Sequence, residues 1–376
     1  MTKDDHLTER QFAAAVFTAL LSPMMRVLPR ATAILAGKWA WLSVLPAVPV
    51  LLALAALMAS LRRSMAPGEG SAQLFLRVFG RVLGRVLLAV YAAWFLFYAG
   101  FILRSGADRL TATVYPHGGP GPFVAVMLGL SLLAALGTLR AAGRTAAVFR
   151  GLLLAVLAAV FLLSVPNMEP ENLLPLRLGD SRGVLAGALP IVTVGGAAGL
   201  FSFLRGYTPP AGRDAMRLLI PPLALFTAAA AALDIVTVGA FGAKLTARLS
   251  YPFFTMIRDL SVAGTAQRFE AAVIVLWVFA DFTMCTLLLR CGHEALRAVF
   301  SLPGAEEGGR TLLQMKNGRW LLWAEAAAAG ACALLLPSAA ESFRPWMESL
   351  VPLAMDLAVF GGFPLLWLVG RLRKKL

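Results

Sequence analysis

With 376 residues, 59% of them hydrophobic and only 14% charged, the chain is too apolar for a water-soluble domain, in which about a quarter of residues are charged. Lipid has to cover such a surface, and at about 20 residues per crossing the length allows about ten spans in a single domain over residues 1–376. The net charge of +14 is scattered through short segments between apolar runs rather than gathered on one face, which reads as topology signals and lipid anchors and argues against a nucleic-acid partner.

In chain order, apolar runs predict spans over 11–29, 39–61, 82–113, 123–139 and 146–165. A polar, proline-bearing loop over 166–182 follows, then spans over 184–204 and 215–241. Residues 244–267 are amphipathic and are expected to lie along the membrane surface. Three more spans complete an all-α membrane protein, over 269–289, 320–336 and 350–369. Most of the 34 Lys and Arg fall on the side that holds both termini, which predicts N-in and C-in. Trp39, Trp41, Trp320 and Trp346 mark span ends, as interfacial aromatics do. The three cysteines, Cys285, Cys291 and Cys332, are dispersed and read as small buried hydrophobes, with neither a disulfide framework nor a metal pattern.

Two interruptions stand out. The first span carries Leu21-Ser22-Pro23-Met24-Met25, with Pro29 at its end, and the sixth carries Val194 through Gly199, glycine-rich. Breaks at matching places in two sets of five spans point to an inverted-repeat fold with its site at the midplane. Backbone groups freed at such breaks must face protein, water or ligand, and helix N-termini there suit a carboxylate. The alternative is that Gly195, Gly196 and Gly199 permit close helix packing and that Pro23 is a simple kink.

Ionisable residues within spans are the next candidates, because a charge in lipid is costly. Asp234 and Asp281 read either as proton or cation coupling sites or as satisfied polar groups between helices. Glu325 and Asp356 are placed close to an interface, and Arg26 near the end of the first span. Arg104 and Asp108 have the i, i+4 spacing of an intrahelical ion pair. His6, His117 and His293 lie far apart, near expected membrane edges; Cys291 and His293 alone are too few for zinc. No GxSxG, HExxH, Walker A or GxGxxG string stands in a supporting context, so neither an enzyme nor a cofactor is expected.

One ordered set of strings carries a resemblance. Ser250-Tyr251-Pro252 is followed by Ile257-Arg258-Asp259-Leu260-Ser261-Val262-Ala263-Gly264, then Gln267-Arg268-Phe269-Glu270-Ala271 and Leu276-Trp277. Leu7-Thr8-Glu9-Arg10-Gln11-Phe12, Leu28-Pro29-Arg30, Phe101-Ile102-Leu103-Arg104-Ser105, Asn172-Leu173-Leu174-Pro175 and Gly187-Ala188-Leu189-Pro190 agree in order and spacing. The chain resembles the spore germination permease family, the B subunits of nutrient germinant receptors, a branch of the amino acid–polyamine–organocation superfamily. The resemblance implies a LeuT-like 5+5 inverted repeat with helices 1 and 6 broken. It also implies sensing of germinants, often amino acids, in the spore inner membrane, beside an A subunit and a lipoprotein C subunit. Three departures bear on the ligand: Ala197-Ala198-Gly199 stands where the family carries a Gly-Phe-Glu-like triple, Ser22-Pro23 where small or glycine residues are usual, and Met284 where lysine is common.

The expected ligand-binding residues are Ser22, Met24, Met25, Tyr98, Phe101, Gly195, Gly196, Ala198 and Thr283. Two other functions fit the same spans. One is an amino acid transporter coupled to protons or cations through Asp281 or Asp234, and the other is a non-binding scaffold that docks partner subunits along 244–267.

Overall fold

The first helix begins where its sequence says it should. Thr8 accepts from the Gln11 backbone N–H at 3.2 Å while the Gln11 side chain accepts from the Thr8 N–H at 2.9 Å, a reciprocal cap. The computed structural model describes residues 6–66, 69–113, 119–174, 181–208, 215–259, 267–302, 316–336 and 344–376. Among these, every regular element is helical: α1 (Glu9–Ala36), α2 (Val44–Arg63), α3 (Ser71–Phe79), α4 (Arg81–Thr113), α5 (Gly121–Leu136), α6 (Leu139–Ser164), α7 (Ser181–Gly196), α8 (Ile220–Arg248), α9 (Pro252–Asp259), α10 (Gln267–Val299), α11 (Lys316–Leu335), α12 (Arg344–Asp356) and α13 (Gly362–Leu372). Seven helical stretches among them are long and apolar enough to cross a membrane, the first running over 9–63 through α1, a tight 3₁₀ turn at Gly37–Ser43, and α2. α5 is apolar but shorter, at 16 residues.

α1 is the central rod. It packs against α6, α7, α8 and α10, and almost all of it from Phe12 to Met25 is buried. It is also unbroken, which corrects the expectation of an interruption at Ser22–Met25: helical conformation continues through both Pro23 and Pro29. The proline ring fixes φ at a helical value, so the rod survives. What each proline removes is the N–H that would have bonded the carbonyl four residues back, at Ala19 and Met25. The freed groups are acceptors rather than the N–H donors expected from the sequence. In the sixth span α7 ends at Gly196 and a 3₁₀ segment, Ala197–Tyr207, carries the chain on. The glycine cluster therefore marks a change of pitch.

Three further differences have local causes. α3 forms inside the loop expected between the second and third spans, too short to register as a crossing; its Leu74, Phe75 and Val78 fall at helical spacing and are buried. α8 bends at Gly242, where φ is +68°, because the Asn172 side chain occupies the place of a Cβ and donates to the Gly239 carbonyl at 3.0 Å. The stretch expected along the membrane surface, 244–267, is divided where α8 ends at Arg248: α9 turns Phe253, Phe254, Met256 and Ile257 into the core, and 260–266 lie outside the described residues. Lastly, α10 runs to Val299 instead of stopping at Leu289, which draws Arg290, His293, Glu294 and Arg297 into the protein interior.

Candidate functional site

The buried centre holds an ion pair that joins three helices. Asp281 of α10 accepts hydrogen bonds from the Ser22 hydroxyl of α1 and from the Arg109 guanidinium of α4. Ser22 is 0%, Asp281 1% and Arg109 3% exposed, so both charges are withdrawn from solvent and depend on each other. The Arg109 guanidinium also lies 3.9 Å from the ring centre of Trp277, one helical turn before Asp281, a close cation–π contact. Gly106, on the same α4 face, lets the carboxylate approach: a Cβ there would stand 3.0 Å from Asp281 Oδ2.

Around this pair several donors are left over. Thr18 and Arg26 lie one turn before and one turn after Ser22 on α1, so the three share a face. Thr18 Oγ1, Arg26 Nη1 and Trp277 Nε1 are buried without a hydrogen-bond partner among the described residues. Buried polar atoms rarely stay unpaired, and each such group calls for an explanation. Arg26 lies 5.0 Å from the ring centre of Phe101, which stacks on Tyr98 at 6.2 Å, and Tyr98 stacks on Trp94 at 5.5 Å. Beside this polar face, Leu21 and Met25 of α1 line an apolar recess closed by Leu153, Leu157, Phe253 and Leu276.

The structure therefore gathers Ser22, Met25, Tyr98, Phe101 and Asp281 from the expected set. Others go elsewhere. Thr283, two residues past Asp281, is turned roughly 200° around α10 and donates to the Phe279 carbonyl at 2.9 Å. Met24 is likewise offset from Ser22 and fully buried. A Cβ on Gly195 would meet Phe226 and Leu51, and one on Gly196 would meet Phe360; both glycines serve helix packing here. Ala198 lines a separate recess with Phe12, Met58, Arg62 and Phe201. Arg104 and Asp108 do form their intrahelical pair, at 2.9 Å. Arg109 went unnoticed in the sequence because it sits at the end of a long span. The signal was present all the same: Asp281 lies mid-span and demands a cation.

Two more buried polar clusters lie along α1 and α10. Asp234 of α8 meets the Thr32 hydroxyl at 2.9 Å. At the C-terminal end of α10, His293 Nδ1 contacts Glu325 Oε1 at 3.1 Å, while Glu294 accepts from Tyr207 at 2.7 Å and from Arg297 at 2.9 Å. Glu325 is 2% exposed and so is not solvated, because α11 packs against α4 and α10. His293 is likewise fully buried. Asp356 is only half-buried and accepts from Thr193 at 3.0 Å. Among the described residues no group of three or more His, Cys, Asp or Glu is placed to hold a metal ion.

A central rod packed by long apolar helices, with a charged junction buried at its middle, is the architecture of an integral membrane protein. The fold has solved counterparts. A Na+-coupled sialic acid symporter, substrate-bound and outward-open, superposes with a TM-score of 0.60 at 11% identity, over 95% of this chain and 79% of that one. MHP1, a nucleobase-cation-symport-1 family transporter in a closed conformation with bromovinylhydantoin bound, gives 0.60 at 14% identity over 94% and 75%. MhsT in complex with L-phenylalanine gives 0.59 at 13% identity over 96% and 98%. At these identities the likeness is one of fold, the LeuT-like fold. No curated protein matches the chain. The family is nevertheless defined: the model of the spore germination proteins matches residues 6–306, and the chain belongs to that family.

Proposed function

We propose that this chain is the membrane-embedded subunit of a spore nutrient germinant receptor and that it binds a small solute, an amino acid, at the junction of α1, α4 and α10. The observation that carries the proposal is the Ser22–Arg109–Asp281 junction, with unpaired donors on Thr18, Arg26 and Trp277 next to an apolar recess. A zwitterion matches this chemistry. Its carboxylate takes donors from α1 and α4, its ammonium shares Asp281, and its side chain enters the recess beside Met25. Family membership supports the receptor role, and the fold is shared with MhsT, which was solved with L-phenylalanine. In this proposal α1 and α2 cross separately and α5 and α11 also span, which gives the ten crossings, both termini inside, in the spore inner membrane. Ligand closure on α1 is passed to the A and C subunits.

The test is thermal stabilisation of the purified protein by a panel of amino acids, with uptake into proteoliposomes alongside. Stabilisation that is lost in Asp281→Asn and unaccompanied by flux supports a receptor. Saturable flux instead makes the chain a coupled transporter. Failure of every amino acid to stabilise a folded protein leaves the membrane scaffold.

A further inference from the structure

We propose that Asp234 is a proton-binding site at the contact between α1 and α8, occupied in this conformation and emptied when the two helices part. This goes beyond solute binding and does not depend on it. Asp234 lies about 15 Å along α1 from the central pair, ten residues at 1.5 Å each from Ser22 to its partner Thr32.

The hydrogen-bond geometry carries the argument. Thr32 Oγ1 lies 2.7 Å from the Leu28 carbonyl and 2.9 Å from Asp234 Oδ1. A hydroxyl has one proton to give, and a carbonyl can only accept. The shorter contact takes that proton to Leu28, as in the usual back-bond of a helical threonine. The remaining contact then runs the other way: Asp234 donates to Thr32, so its carboxyl must hold a proton. Burial leads to the same state by a different route. Asp234 is 0% exposed and Oδ2 has no hydrogen-bond partner among the described residues. A bare carboxylate oxygen at this depth is far costlier than a neutral carboxyl.

No cation relieves it among the described residues. On the elements packed against α8, Arg30 of α1 gives its Nε to the Ala247 carbonyl at 3.2 Å, and Lys38 gives its ammonium to the Glu171 and Leu174 carbonyls. Glu169 accepts from Asn172. α7 has only Arg182, in its first turn, α9 has Arg258 and Asp259 in its last, α2 is charged only in its last turn, and α6 only in its first half. None of these pairs with Asp234. The contrast with Asp281 is direct: that carboxyl has the Arg109 guanidinium against it, whereas Asp234 has no cation beside it among the described residues.

The chemistry balances simply. When α1 and α8 separate and water enters, the carboxylic acid gives its proton to solvent and becomes a hydrated carboxylate. Reclosure takes one proton back. Any conformational cycle that opens this contact is therefore linked to pH.

Infrared spectroscopy of the purified protein reads this directly. At neutral pH the wild-type minus Asp234→Asn difference should contain one carboxylic-acid C=O band, lost in the variant, whose amide still donates to Thr32. Thr32→Val should keep that band and move it to higher frequency, because its acceptor is gone; this variant decides the matter should Asp234→Asn fail to fold. A carboxylate difference in place of the C=O band overturns the proposal. So does a band that disappears on adding sodium ions in place of choline, which would make the resident a metal cation.

Discussion

Gly106 and Asp281 stand so close that a Cβ on the glycine would lie 3.0 Å from the carboxylate Oδ2. The missing side chain is what allows α4 to press against α10 while Arg109, one turn on, reaches the same carboxylate. Gly106→Val is therefore expected to wedge the pair apart and to cost about 1–3 kcal/mol, as overpacking does. Gly129 is the matched control, with nothing within 4 Å of its Cβ position; Gly129→Ala should be neutral or stabilising by up to about 1 kcal/mol. Thermal unfolding in detergent compares the two. Equal effects would show that the approach at Gly106 has no special role.

The pair itself calls for a double-mutant cycle. Arg109→Met leaves Asp281 buried with only Ser22, and Asp281→Leu leaves Arg109 buried over Trp277 without its carboxylate. Either change is expected to cost about 3–5 kcal/mol, because one charge is stranded. The double variant should recover part of that loss, since two apolar side chains replace a pair whose desolvation offsets its attraction. All three variants should lose stabilisation by amino acids. If the double variant is stable yet still responds to amino acids, the ligand does not use this pair.

Much of the fold was legible in the sequence because lipid imposes a length rule on apolar runs. The run at 82–113 corresponds to α4 within a residue; that at 146–165 ends with α6, which starts earlier, at Leu139; and that at 184–204 covers α7 together with the 3₁₀ segment that follows it. What escaped was set by tertiary partners. α10 continues past Leu289 because Arg290, His293, Glu294 and Arg297, which read as a loop by composition, find buried partners in Gly137, Glu325 and Tyr207. The interruption at Pro23 was expected from a residue that breaks helices in water; inside a packed bundle it costs one hydrogen bond and leaves the rod intact. Of the site, Asp281 and Ser22 were visible as polar residues in apolar runs. Their common partner was not, since nothing along the chain tells which of several arginines will face inward.

At the C-terminal end of α10, Tyr207 and Arg297 share one acceptor, Glu294. The Tyr207 carbonyl also accepts from the Leu7 N–H at 2.8 Å, which ties the segment before α1 to the end of the sixth span. Tyr207→Phe removes one hydrogen bond to a charged group and keeps the backbone tie, at an expected cost of about 1.5–3 kcal/mol. Arg297→Met leaves the Glu294 carboxylate without its cation and should cost more, about 3–5 kcal/mol. The order of the two, read from unfolding midpoints, is the prediction. A reversed order would mean that the phenol rather than the guanidinium holds Glu294.

Gly195 and Gly196 separate the packing role from a ligand role. A Cβ on Gly195 is met from two sides, by Phe226 at 2.9 Å and Leu51 at 3.0 Å, so neither neighbour can give way without disturbing the other. Gly195→Ala should therefore cost about 1–3 kcal/mol. A Cβ on Gly196 meets the outer edge of the Phe360 ring at 2.8 Å, which can swing, so Gly196→Ala should be milder. Phe360 belongs to a π-helical turn, Leu357–Gly361, whose Ala358 carbonyl takes the Tyr91 hydroxyl at 2.5 Å. Gly196→Leu should consequently push on that turn and loosen it, seen as faster amide exchange around Ala358. Because these glycines face α2, α8 and the Leu357–Gly361 turn rather than the Arg109–Asp281 junction, folded Gly195→Ala and Gly196→Ala proteins should keep their full stabilisation by amino acids. Loss of that response without loss of fold would move the binding site to the pitch change in the sixth span and away from the ion pair.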